Sequence, residues 1–122
     1  MTIESHRDLF VRQKAMALVV ECYRITRQYP DTERYGLTSQ TQRAAVSVPA
    51  NIAEGKARGK TGAFINHLSI ASGSLAELDT HLEIANQLGY INKETFQEIT
   101  TRVAEVGRML TGLRRSLESK RQ

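Results

Sequence analysis

The sequence predicts an all-α protein, an antiparallel up-down-up-down four-helix bundle. Three observations predict it: four apolar stripes at three- and four-residue spacings, short connections between them, and no segment with the alternation of a strand. Helix one, over 9–29, carries Val11, Ala15, Leu18, Cys22, Ile25 and Tyr29 on one face, and Pro30 cannot continue it. Helix two, over 39–55, follows the Tyr35-Gly36 turn. Ser39 and Gln42 have the spacing of a capping box, Ala44, Ala45, Val48 and Ile52 form the stripe, and Pro49 predicts a kink near Ala45. Thr61 is a candidate N-cap for helix three, over 62–88, whose stripe runs Phe64, Leu68, Ala71, Leu75, Leu78, Leu82 and Ala85 until Gly89 closes it. Asn92 is placed to cap helix four, over 93–118, with Phe96, Ile99, Val103, Val106, Leu110, Leu113 and Leu117 facing inward and a basic tail expected to fray.

The 122 residues suit one domain with one core. Hydrophobic residues make up 40% and charged residues 25%, and no run of apolar residues is long enough to span a bilayer, so a soluble protein with no membrane partner is expected. The start, Met1 to His6, lacks the basic and apolar regions of a secretory signal, which gives a cytoplasmic expectation. Cys22 is the only cysteine, so an internal disulfide or a cysteine-rich zinc site is excluded, and a small buried hydrophobe is its ordinary role.

Catalytic chemistry finds little support, and no enzyme is expected. The stretch Gly55-Lys56-Ala57-Arg58-Gly59-Lys60-Thr61 invites comparison with a phosphate-binding P-loop. That motif needs four residues between its glycines and a preceding strand, whereas three residues and a helix stand here. Di-iron bundles carry Glu-x-x-His on two helices, a pattern missing from this chain; His81 four residues after Glu77 is too small a ligand set. His6, His67 and His81 lie near a terminus or within one helix and point to no triad. No metal or other cofactor is implied.

Two kinds of surface remain. The net charge is +4, and one basic set, Arg43, Lys56, Arg58 and Lys60, surrounds helix two and its loop, where arginines can hold phosphates. A second, Arg102, Arg108, Arg114, Arg115, Lys120 and Arg121, gathers toward the end of helix four, where cations also suit the helix dipole. Neither set has interleaved aromatics, so binding of RNA or DNA there would be phosphate-driven and salt-sensitive. The other surface is the run of small residues on helix three that includes Ser69, Ser72, Gly73 and Ala76. Gly73 costs about 1 kcal/mol against alanine in a helix, which a close helix contact, within the bundle or between subunits, would offset.

The segments Tyr35-Gly36-Leu37-Thr38-Ser39-Gln40, Arg43-Ala44-Ala45-Val46-Ser47-Val48-Pro49-Ala50-Asn51-Ile52-Ala53-Glu54-Gly55, Ile70-Ala71-Ser72-Gly73-Ser74-Leu75-Ala76-Glu77-Leu78 and Leu88-Gly89-Tyr90 resemble the four-helix-bundle proteins of bacterial rRNA intervening sequences, from about Leu9 to Leu117. The resemblance implies an antiparallel bundle assembling into a ring-like homopentamer. It extends to the accessory variability proteins of diversity-generating retroelements, which bind nucleic acid and reverse transcriptase, so a nucleic-acid enzyme is a possible partner. Arg12 stands where that family often has Trp, and Thr41-Gln42 stand where an apolar residue and a second Arg are common. Asn51 and Glu54, with Pro49 and Gly55, match the family motif, and a structural role is expected for them, Glu54 pairing with a nearby cation. The combined reading is a non-enzymatic homo-oligomeric binding protein that offers basic surfaces to nucleic acid or to a nucleic-acid enzyme. The alternative is a protein-binding or structural scaffold whose charge aids solubility.

Overall fold

The chain, described here from a computed structural model covering residues 3–121 with side chains from Arg7 onward, forms four long helices. These are α1 (Ile3–Thr26), α2 (Leu37–Ala57), α3 (Thr61–Gln87) and α4 (Lys93–Arg121), with one 3-10 turn, Asp31–Glu33, between α1 and α2. The absence of strands predicted from the apolar periodicity holds among the described residues.

Each helix packs against two others in a cycle, α1 on α2, α2 on α3, α3 on α4 and α4 on α1, while the backbones of the diagonal pairs stay further apart. Neighbours run antiparallel. Thr26 at the end of α1 meets Gln42 near the start of α2, while Asp8 near the start of α1 meets Lys56 at the end of α2. Between α2 and α3 the contacts pair Ser47 with Ser74 and Asn51 with His67, and between α1 and α4 they include Lys14 with Glu105. The predicted stripes form one core drawn from all four helices, with Leu18, Ile52, Leu68, Leu78, Leu82, Ile99, Leu110 and Leu113 fully enclosed. Burying a large aliphatic side chain contributes roughly 1.5–3 kcal/mol, so these stripes are the main favourable term.

The helix ends differ from the sequence expectation in instructive ways. α1 stops at Thr26, short of Tyr29, because the chain tightens into three-residue turns: the Gln28 and Tyr29 amides donate to the Ile25 and Thr26 carbonyls (both 3.1 Å). Tyr29 is nevertheless buried. α2 begins at Leu37, two residues before the expected Ser39, so no Ser39–Gln42 capping box forms. Glu33 supplies the cap instead, its carboxylate accepting the Leu37 amide at 3.1 Å, and Gln42 reaches back to donate to the Thr26 hydroxyl at 3.0 Å. Gly36 makes room for this, since a Cβ there would stand 2.9 Å from Glu33 Oε1. Pro49 lies buried within α2, and the helix continues through it from Leu37 to Ala57.

Thr61 is the first residue of α3 rather than its cap; Lys60 occupies the cap position in extended conformation, with no side-chain cap bond. α3 ends as predicted at Gly89, whose φ of +79° closes a Schellman turn: the Tyr90 amide donates to the Ala85 carbonyl (2.9 Å) and the Gly89 amide to Asn86 (3.1 Å). Asn92 caps α4 through its Oδ1, which accepts the Thr95 amide at 2.8 Å. The tail expected to fray is helical through Arg121.

Candidate nucleic-acid interface at the loop end of the bundle

Up-down topology sends the end of α2, the start of α3 and the end of α4 to the same end of the bundle. Parts of two basic sets that are far apart in sequence therefore meet. Lys56, Lys60, Lys120 and Arg121 line a pocket of about 360 Å³ together with Gly55, Gly59, Thr61, Phe64 and Leu117. Phe64 and Leu117 belong to the core. Among the described residues no acidic side chain lines the pocket. Lys56 lies 5.8 Å above the Phe64 ring and 2.8 Å from Asp8 Oδ2, so the largely buried Asp8 holds it in place and offsets its charge.

The other basic residues go elsewhere. Arg58 turns from the pocket to donate to Glu54 Oε2 at 2.8 Å. Arg43 lies thirteen positions before Lys56, about 20 Å along the helix axis. It lines a separate hollow with Tyr23, Ser39, Gln42, Val46 and Ser47. The four residues of the first set thus do not form one surface. The second set divides too: Arg114 Nε stands 3.8 Å from Glu118, and Arg108 and Arg115 border a groove between α3 and α4.

Asn51, Glu54 and Gly55 build the junction of α2 with α3. The Asn51 amide donates to the Ser47 carbonyl (2.9 Å) and hydroxyl (3.0 Å), and Ser47 shares a 2.7 Å hydrogen bond with Ser74 across the interface. His67 Nδ1 lies 3.0 Å from Asn51 Oδ1; that bond places a proton on Nδ1 and leaves Nε2 facing Glu54 Oε2 at 3.8 Å. Glu54 does pair with a cation, as expected. Its carboxyl is held below the usual range first by the Arg58 hydrogen bond and then by the neighbouring imidazole. Gly55 lets the helices approach, since a Cβ would fall 2.5 Å from His67 Cβ and 3.1 Å from Phe64.

This chain of groups does not make a catalytic triad. Asn51 stands between His67 and Ser47, so neither the Ser47 nor the Ser74 hydroxyl is hydrogen-bonded to the imidazole. Among the described residues no three His, Cys, Asp or Glu side chains gather as a metal set. The His6 side chain lies outside the described residues. No described helix is long and apolar enough to cross a membrane.

The small-residue run does not act as a single face. Ser72 and Ala76 line the α3–α4 groove, of about 630 Å³, opposite Ala104, Gly107 and Gly112. Gly73 points into open space, with nothing within 4 Å of a Cβ, and Ser69 is exposed. Close packing inside the bundle therefore does not account for Gly73; the close approach within the chain is at Gly55. Sequence reasoning missed the partners Asp8, Glu33 and His67. The meeting of Lys120 and Arg121 with Lys56 and Lys60 follows from the antiparallel order alone.

These features define a four-helix bundle protein with a basic end and a polar lock between its second and third helices. The chain belongs to the 23S rRNA-intervening sequence protein family, whose sequence profile matches residues 7–112. Its fold is similar to the crystal structure of a protein with unknown function from the S23 ribosomal protein family of Bacteroides thetaiotaomicron. That similarity has a TM-score of 0.83 at 24% identity, covers 89% of this chain and 98% of the other, and is a likeness of fold. No curated protein matches the chain.

Proposed function

We propose that the protein is a non-enzymatic homo-oligomer, a homopentamer in the form the resemblance implies, whose basic surface engages RNA or DNA or assists an enzyme acting on them. The gathering of Lys56, Lys60, Lys120 and Arg121 around one pocket carries this reading, since phosphate neutralisation is the main source of affinity for nucleic acid. Self-association is supported by α1, which is apolar on two sides. Opposite its core stripe, Leu9, Met16, Val20 and Tyr23 recur on the outer face, all well exposed.

The test is fluorescence anisotropy of labelled RNA and DNA across a salt series, with light scattering on the same protein. Binding that weakens steeply with salt, and weakens in K60Q/R121Q more than in R43Q, is the expected result. Negligible binding at low salt would favour the alternative, a scaffold that binds protein only. The pairing of Arg58 with Glu54 and of Lys56 with Asp8 favours that second reading, because both pairs reduce the charge available to phosphate. A monomeric mass of 13.7 kDa at micromolar concentration would overturn the oligomer.

A further inference from the structure

We propose that the pocket between the α2–α3 loop and the end of α4 receives the terminal phosphate monoester of a nucleic-acid strand. This rests on the reading that the basic end of the bundle meets nucleic acid, and names the part of the strand that it grips.

The charge of the pocket favours a chain end. Buried Phe64 and Leu117 line it, and the volume of about 360 Å³ falls in the lower part of the range of roughly 300–1,000 Å³ for small-molecule sites. Around it stand Lys56, Lys60, Lys120 and Arg121. Even with Lys56 offset by Asp8 and Lys120 engaged in an interaction of its own, Lys60 and Arg121 together carry more positive charge than one internal phosphate neutralises, which suits a monoester holding about −1.5 to −2 at pH 7.

Glycines shape the opening. Gly59 has φ of +74°, a backbone conformation that turns the chain tightly from α2 into α3, and no side chain projects from it over the rim. Gly62 lets the Arg121 guanidinium lie against the start of α3, since a Cβ there would stand 3.1 Å from Nη2. That contact brings the planar fork of Arg121, the group best matched to two phosphate oxygens, beside Lys60 and Lys120. The glycine-rich stretch that fails as a P-loop thus acquires a phosphate-binding geometry by another route, through the distant end of α4.

The experiment compares three short single-stranded RNAs of one sequence, labelled on an internal base: one with a 5′ phosphate, one with a 3′ phosphate and one with hydroxyls at both ends. Anisotropy at low salt should show at least one phosphorylated strand binding about tenfold more tightly than the hydroxyl strand, the value of one charge-assisted contact. K60Q/R121Q, at two exposed positions, should abolish that preference while keeping native helicity by circular dichroism, and R43Q should retain it. Equal, salt-sensitive binding of all three strands would overturn the end-binding pocket and leave the broader nucleic-acid reading standing, whereas no binding of any strand would overturn both. Displacement by adenosine monophosphate at concentrations as low as those of the phosphorylated strand would assign the pocket to mononucleotides and also overturn the proposal.

Discussion

Thr41 is fully enclosed in the core, and its hydroxyl has no hydrogen-bond partner among the described residues. A buried hydroxyl without a partner loses its water and gains nothing, a cost of roughly 1–3 kcal/mol. T41V keeps the shape and removes that cost, so it should raise stability by about 1 kcal/mol, read as a higher urea midpoint at unchanged slope. The resemblance already marked position 41 as one where an apolar residue is common, but only the burial shows why. Gly55 makes the opposite case. In G55A the new methyl would meet His67 Cβ, an atom fixed by the backbone of α3, so the helices must part and a loss of about 1–3 kcal/mol or more is expected in the same titration. G73A, which meets nothing in the chain, serves as the matched control and should gain up to about 1 kcal/mol from helix propensity.

At the scale of elements, the helices were legible because each stripe repeats a simple spacing over several turns, and every apolar position named for α3 is buried. The joints were less so, since a cap is settled by whichever acceptor arrives first in space. Ser39 had the right spacing, but Glu33 is delivered to the first amide of α2 by the 3-10 turn, and it also accepts the Tyr90 hydroxyl at 2.8 Å. Tyr90 in turn packs on Tyr29, ring centroids 5.4 Å apart, and the Gly89 turn brings it there. One carboxylate therefore joins the α1–α2 and α3–α4 connections. E33A should cost about 1–2 kcal/mol through the lost cap and the lost tyrosine bond. In E33A the Tyr90 titration, which the carboxylate pushes upward, should return toward the ordinary tyrosine value, measurable by ultraviolet absorbance. The basic pocket was half legible: its four basic residues were recognisable as cations, but their convergence required three helix ends to be placed together, and the pairing of Lys56 and Arg58 with carboxylates required side-chain geometry.

At the scale of the whole molecule, the core sets a limit on alkaline stability. Burial pushes the Cys22 thiol up to about 12, with the Glu21 charge adding to it, and burial likewise raises Tyr29 to about 12. Both groups ionise at lower pH in the unfolded chain, near 9 and 10. Because the folded values are the higher ones, this contribution to stability is whole below pH 9 and is lost progressively as pH rises toward 12. The urea midpoint should fall across that window, and in C22A, compared with its own value at pH 8, the fall should be smaller. Cys22 should also resist thiol reagents at neutral pH until the protein unfolds. The α2–α3 lock has a consequence of a different kind. Uniform apolar stripes tolerate a helix sliding by one heptad, because one aliphatic layer then replaces another. Here such a slide would bring a residue with a Cβ against His67 in place of Gly55 and strand Asn51 and His67 without each other, so the native alignment is favoured over its heptad-shifted neighbours. The loop joining these helices spans only residues 58 to 60, the shortest connection in the bundle, so closing this contact costs the least chain entropy.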